Sequence, residues 1–111
     1  MAGREKEPAS QVFRNVKLPQ LLNVPASTFL VIMNVGYAKA LGVTCEHCHT
    51  TRNFASDEKR PKRAAREMAA MHFGVNQQLL RMESLATQPP ERRFINCMTC
   101  HRGMVNPNSP P

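Results

Sequence analysis

All four cysteines and three of the four histidines lie in two short segments, Cys45-Glu46-His47-Cys48-His49 and Cys97-Met98-Thr99-Cys100-His101. In each, two residues separate the thiols and a histidine follows at once, the C-x-x-C-H pattern of covalent haem c attachment. Two thiols about one turn apart can add to the two vinyl groups of one porphyrin. The next residue is then beneath the ring, where its imidazole can ligate the iron axially. The pattern occurs twice, so two covalently bound haem c (heme c) groups are expected on Cys45, Cys48, Cys97 and Cys100, with His49 and His101 on the irons.

Other uses of paired cysteines fit less well. Two C-x-x-C pairs could form a four-cysteine zinc ribbon, and in a basic chain that would suggest a nucleic-acid binder. However, 48 residues separate Cys48 from Cys97, well beyond the usual ribbon loop. Zinc also gives no reason for a histidine directly after both pairs. A disulfide scaffold would not need that histidine either, and a thioredoxin-like motif needs a strand-then-helix context absent here.

Each iron needs a sixth ligand, and methionine is the usual partner of histidine in electron-transfer cytochromes c, its thioether favouring ferrous iron. Met33, twelve residues before Cys45, is the only methionine of the first predicted helix. Its helical neighbours are Phe29 and Leu30 on one side and Gly36, Tyr37 and Ala40 on the other. A glycine one turn from the ligand would let a flat ring approach closely, although an apolar helical methionine is more commonly core. The second helix offers Met68, Met71 and His72. Met68 shares its face with Ala64, Ala65 and Met71, a low-relief surface for a ring, and a histidine ligand would give a lower potential than a methionine. His47, inside the first motif, is read as surface.

These residues need elements to hold them. Residues 1–25, punctuated by Pro8, Pro19 and Pro25, read as an extended coil arm whose Val12, Phe13, Val16, Leu18, Leu21 and Leu22 could cover an apolar surface. A helix is expected over about 27–41, with Ser27 as N-cap and Gly42 as stop. Residues 50–59 read as loop. A second helix is expected over about 61–73, opened by Pro61 and ended by Gly74, and a third over about 77–86 capped by Asn76. Gln88-Pro89-Pro90 breaks it, and a polar turn through Arg93 leads to Cys97. The expected fold is mainly α: a small multihaem cytochrome c in which helix, turn and C-x-x-C-H repeat around two haems. Residues 1–25 form the arm, 26–107 the dihaem domain, and 108–111 a Pro-rich tail.

Composition agrees. The chain has 111 residues, 41% of them hydrophobic, with five Phe, one Tyr and no Trp, so it is one small domain with few large side chains for a core. Porphyrins would supply the missing flat apolar surface. The longest apolar stretch, 29–43, is interrupted by Asn34, Gly36 and Lys39, and a direct transmembrane segment is excluded. The formal charge is +7. Four haem propionates and two ferric irons would bring it to about +5 oxidised and +3 reduced. Part of the excess then acts as internal counter-charge, with Arg52, Arg63 and Arg66 as candidates, and the remainder favours an acidic redox partner over nucleic acid.

The stretches Cys45 to His49, Thr50-Thr-Arg-Asn-Phe-Ala-Ser-Asp57, Ala64-Ala-Arg-Glu-Met-Ala-Ala-Met71 and Cys97-Met-Thr-Cys-His-Arg-Gly103 occur in order, with Pro107 after them. Together they resemble the cytochrome c subunit of photosynthetic reaction centres over roughly 18–107. In that family each haem unit is a helix carrying an axial methionine, a turn and C-x-x-C-H. The resemblance implies His49 and Met33 on the first haem and His101 and Met68, the first methionine of the A-R-x-M-x-x-M motif, on the second; Met71 is then packing. The family's subunit has two such halves and four haems, and its first half lends a histidine to the other. No histidine lies between His72 and His101, so a self-contained dihaem half is expected.

The function these features imply is electron transfer, not catalysis, by a dihaem carrier or subunit of a photosynthetic or respiratory redox complex. With both axial positions filled, no site is left for a small molecule. A dihaem peroxidase or gas-binding haem protein is the enzyme-class rival and needs one open iron. The expected partners are redox proteins, such as a photosynthetic reaction centre or a respiratory membrane complex. Haem c attachment takes place outside the cytoplasmic membrane in bacteria, so a periplasmic location is expected, with any membrane association through a partner. The residues after Met1 show no charged start followed by an apolar run, so the numbering is expected to begin after processing, in a recombinant form, or inside a longer reading frame.

Overall fold

The computed structural model describes residues 3–85, 87–89 and 93–108. Four α-helices order the chain: α1 (Ala9–Val12), α2 (Ala26–Val31), α3 (Arg60–Arg81) and α4 (Cys97–His101). Single 3₁₀ turns lie at Pro19–Leu21, Cys45–His47 and Glu83–Leu85. α2 continues directly into a π-helical segment, Ile32–Lys39, and Gly42 stops it at φ 68°. The start is at Ala26, with Pro25 rather than Ser27 in the cap position and no side-chain cap.

The N-terminal arm is less extended than its prolines suggest. It turns back on itself: Ala9 and Ser10 donate to the carbonyls of Val24 and Leu22, while Ala26 and Ser27 donate to those of Glu7 and Glu5. The resulting hairpin buries Ala9 and Ala26 completely. Phe13 stacks on Phe29 with ring centroids 5.1 Å apart, fastening the arm to α2. Further along, Asn15 adopts φ 68°, and its amide reaches Asp57 at 2.8 Å and the carbonyl of Ala55 at 2.7 Å. Lys17, Lys62 and Arg66 also converge on Asp57, each at 3.2 Å. One carboxylate thus joins arm, loop and α3.

α3 runs through both predicted helices without a break. Pro61 sits in its first turn, as the sequence suggests, but Gly74 does not end it. A C-terminal glycine works by adopting a positive φ, and Gly74 is not among the residues that do. Good helix formers follow it to Arg81, and Asn76 caps nothing. Ala86, Pro90, Glu91 and Arg92, at the end of the expected third helix and the turn after it, lie outside the described residues, as does 109–111 of the tail.

The buried hydrophobic residues are Ala9, Leu21, Ala26, Ala40 and Ala69, and no large side chain is fully buried among the described residues. Small side chains let backbones touch, but bury little apolar area. The accessible surface is 7799 Å², against about 6,200 Å² expected for a folded chain of this mass. The radius of gyration is 15.3 Å, against about 13 Å for a compact domain of this length. Val31, Phe54, Met68, Met71 and Met98 are all exposed. The polypeptide encloses less apolar surface than its size permits. No described helix is long and apolar enough to cross a membrane.

Two stability predictions follow from this architecture. A Cβ at Gly74 meets nothing within 4 Å, so Gly74→Ala should stabilise α3 by about 0.5–1 kcal/mol, read as a higher urea midpoint. The Asp57 carboxyl is held far below the usual range by hydrogen bonds from Arg66 first and Asn15 next, with Lys62 and Lys17 adding to them against burial. Its stabilisation is therefore complete above about pH 4 and is lost as pH falls further toward the folded-state value. Asp57→Asn should lower stability at neutral pH and flatten the acid limb of an unfolding-versus-pH curve.

Candidate functional site

A cavity of about 600 Å³ opens between the arm, α2 with its π-helical continuation, and α3. This is within the range of pockets that hold small-molecule cofactors, about 300–1,000 Å³. One wall is a row on the first long helix: Phe29 and Leu30, Met33 and Asn34, Tyr37 and Ala38, then Leu41. The step is four residues. On an α-helix a four-residue step drifts by about 40°, so the row would swing by about 120° over its length. A π turn, with about 4.4 residues, drifts the other way. The π-helical Ile32–Lys39 cancels most of the swing, and Met33, Tyr37 and Leu41 stay on one side. Gly36 is not in this wall, contrary to expectation. A Cβ there would meet Ile32 at an ordinary 3.5 Å, so the small residue facing the cavity is Ala38.

The opposite side carries the first attachment segment. Cys45, Cys48 and His49 line the same cavity as Met33, so two thiols, an imidazole and a thioether share one apolar chamber, a donor set that fits haem c. The His49 Nδ1 lies 2.8 Å from the carbonyl oxygen of Phe54, and the two rings are 4.9 Å apart. A carbonyl only accepts, so Nδ1 carries the proton and Nε2 keeps its lone pair for a metal. His47 is exposed, as expected. Arg52 and Arg66 line the cavity; Arg63 is exposed on α3 and not part of the lining.

The second segment forms its own short helix. Asn96 and Thr99 make a reciprocal capping box at the start of α4: the Asn96 side chain accepts from the Thr99 amide, and the Thr99 hydroxyl accepts from the Asn96 amide. Arg102 ends α4 at φ 53°. His101 then repeats the arrangement of His49, its Nδ1 lying 2.9 Å from the Met104 carbonyl oxygen. Asn76 of α3 holds the approach to this helix. Its amide nitrogen donates to the Ile95 carbonyl at 2.9 Å, and its oxygen accepts from the Ile95 amide at 2.6 Å.

The two segments meet at glycines. Gly103 donates to the Ala40 carbonyl at 2.8 Å, and a Cβ on Gly42 would lie 2.1 Å from the Gly103 oxygen. Tyr37 is near both. Burial, and next the charge of Cys97, push its phenol up to about 12, with Arg66 opposing and Cys48 adding to the rise. Burial also pushes the Cys48 and Cys97 thiols up. No disulfide joins the four cysteines. Among the described residues no three His, Cys, Asp or Glu side chains gather as a metal cage, the arrangement a zinc ribbon would need.

Met68, Met71 and His72 lie on α3. At about 100° per residue, with the buried Ala69 marking the inner face, His72 is about 60° from it, Met68 about 100° and Met71 about 160°. Met68 and Met71 are both exposed, at 42% and 51%. His72 Nδ1 is buried without a partner, and burial pulls that imidazole down, toward its neutral form.

Two C-x-x-C-H segments, each with its histidine oriented through Nδ1 by a backbone carbonyl, define a cytochrome of the c type. The chain belongs to the family of photosynthetic reaction centre cytochrome c subunits, whose model matches residues 1–110. It is 33% identical over 92 residues to cytochrome c-554 of Chloroflexus aurantiacus (strain ATCC 29366 / DSM 635 / J-10-fl), a match covering 82% of this chain and 21% of that protein. The chain therefore spans about a fifth of that relative's length. Members of this family carry covalently bound haem c.

The Asn76 amide makes both of its backbone bonds to one residue, so truncating it leaves the Ile95 amide and carbonyl without partners. Asn76→Ala should cost about 1–3 kcal/mol. It should also broaden the signals of the second haem in an NMR spectrum while leaving those of the first sharp.

Proposed function

We propose that this chain is a dihaem electron-transfer module, with one haem on Cys45 and Cys48 between His49 and Met33, and one on Cys97 and Cys100 between His101 and Met68. The observation that carries the proposal is the paired orientation of His49 and His101 by the Phe54 and Met104 carbonyls. It leaves each Nε2 free as a ligand immediately after two cysteines. Haem c supplies a one-electron couple between ferric and ferrous iron. The chain's own residues do the rest. The thiols would hold the porphyrin covalently, His49 and His101 would ligate iron through Nε2, and the row from Phe29 to Leu41 would exclude water. A thioether ligand from Met33 or Met68 would favour the reduced state.

Met33 is supported by its place in the same cavity wall as the first cysteine pair. For the second iron, the helical-wheel position of Met68, closer to the inner face than Met71, supports the methionine that the family motif indicates. His72 is the specific rival, because it lies nearer the inner face of α3 than Met68 and its Nδ1 is buried. Residues 26–107 are the haem-bearing domain in this proposal, with 1–25 and 108–111 as flanking segments. The net charge of +7 suits an acidic redox partner such as a photosynthetic reaction centre or a respiratory membrane complex, at the periplasmic face.

Spectroelectrochemical titration tests the proposal. The holoprotein should carry two haems by mass, give two one-electron waves, remain low-spin in both oxidation states, and bind no carbon monoxide when reduced. Strong carbon monoxide binding to the native reduced protein would instead indicate an open iron and favour the peroxidase or gas-binding class. Met68→Ala should lower the potential of one haem or leave it high-spin, whereas Met71→Ala should change little. Absence of the methionine-to-ferric-iron charge-transfer band from the second haem would transfer the ligand to His72.

A further inference from the structure

The carbonyl that orients His49 has a second donor. Lys62 Nζ lies 3.0 Å from the Phe54 oxygen, the same atom that accepts from His49 Nδ1 at 2.8 Å. The ammonium makes two more contacts, to the Ser56 carbonyl at 2.8 Å and to Asp57 Oδ1 at 3.2 Å. An ammonium has three donors; two go to the carbonyls, and the Asp57 contact is an ion pair. The Lys62 side chain is only 11% exposed, and water has little access to compete for it. At the other site, the Met104 oxygen accepts from His101 and no cation reaches it among the described residues.

We infer that Lys62 is a positioning and tuning residue for the first haem, acting through the shared Phe54 carbonyl to raise that haem's reduction potential; the inference rests on His49 being an axial ligand. A carbonyl that accepts from an imidazole Nδ1–H draws the proton away and makes the other nitrogen a stronger donor to iron, which favours the ferric state. A cation on the same oxygen withdraws electron density from it and weakens that pull. The ammonium charge, held beside the site in a region of low water access, acts in the same direction by disfavouring a further positive charge on the iron. Asp57 offsets part of this field, but it also holds the ammonium in place.

The test is the potential of each haem in the holoprotein variants Lys62→Met and Lys62→Gln, with Arg66→Met as comparison. Arg66 reaches the same carboxylate at 3.2 Å but makes no bond to the Phe54 oxygen. Lys62→Met should shift the ferrous-to-ferric ratio of one haem about tenfold toward ferric, about 59 mV for a one-electron couple, and leave the other haem unchanged. Lys62→Gln, which keeps a neutral donor, should shift the same haem in the same direction by less. The His49 Nδ1–H resonance of the reduced protein should move in both variants and stay in place in Arg66→Met. If Lys62→Met does not load haem, Lys62→Gln alone carries the same expectation. An unchanged potential with two haems bound, or a His49 Nδ1–H resonance that moves as far in Arg66→Met as in Lys62→Met, would overturn the role of Lys62. Loss of the underlying assignment looks different: wild-type protein would carry no haem on Cys45 and Cys48, or would show no histidine ligand there.

Discussion

The contact on which the arrangement depends is the one between Gly42 and Gly103. The first long helix must end, turn and deliver Cys45, and α4 must end just after His101, both within a few ångströms. A side chain at Gly42 would collide, because Gly42 has φ 68° and its absent Cβ points into the Gly103 oxygen; at Gly103 there is space, but φ 85° strains any other residue. With the glycines in place, Gly103 donates to Ala40, and the two C-x-x-C-H segments lie on either side of one backbone contact. Their proximity to each other and to Tyr37 is a consequence of this contact, not of a conventional core.

The fully buried side chains are small, so cohesion comes from close backbone approach and from polar ties. Asp57 gathers Asn15, Lys17, Lys62 and Arg66, and Asn76 grips Ile95. An apolar core of four alanines and one leucine is marginal for a domain of this size, since alanine contributes little apolar area. The exposed methionines and phenylalanines, together with a surface larger than the mass predicts, are what a protein looks like when a large flat cofactor supplies the missing partner surface. The π-helical segment belongs to the same economy of packing. It keeps one long row of side chains aimed at a planar ligand, where an α-helix would turn the row away.

Much of this was legible in the sequence, because attachment chemistry is local. The C-x-x-C-H spacing, the stop at Gly42, the Pro61 helix start and the exposed His47 each depend on neighbours in the chain. What was not legible depended on partners distant in sequence. Gly74 carries an ordinary helix-ending signal and Asn76 a helix-starting one, yet α3 continues because Gly74 has no left-handed turn to make and the Asn76 side chain is taken by Ile95. The arm reads as coil from its prolines, while its fold is set by hydrogen bonds to residues 22–27. The π-helical widening has no signature in the residue types, although the four-residue spacing of Phe29, Met33, Tyr37 and Leu41 was there to be counted. Asn96 just before the second attachment motif and Thr99 three residues on, inside it, were a readable cap.

The net charge takes on a different meaning once the cations are located. Arg14, Lys17, Arg52, Lys62 and Arg66 line the cavity, and three of them are already engaged by Asp57. A carboxylate placed among three cations lowers the cost of gathering them, since mutual repulsion would otherwise oppose folding before any anionic ligand arrived. It does not cancel them. Lys17, Lys62 and Arg66 against one carboxylate leave a local excess of positive charge beside the cavity, suited to anionic groups on a cofactor edge and opposed to the oxidised state of a metal inside. Five of the fifteen Lys and Arg side chains thus serve the cavity, and the others are available to attract a partner.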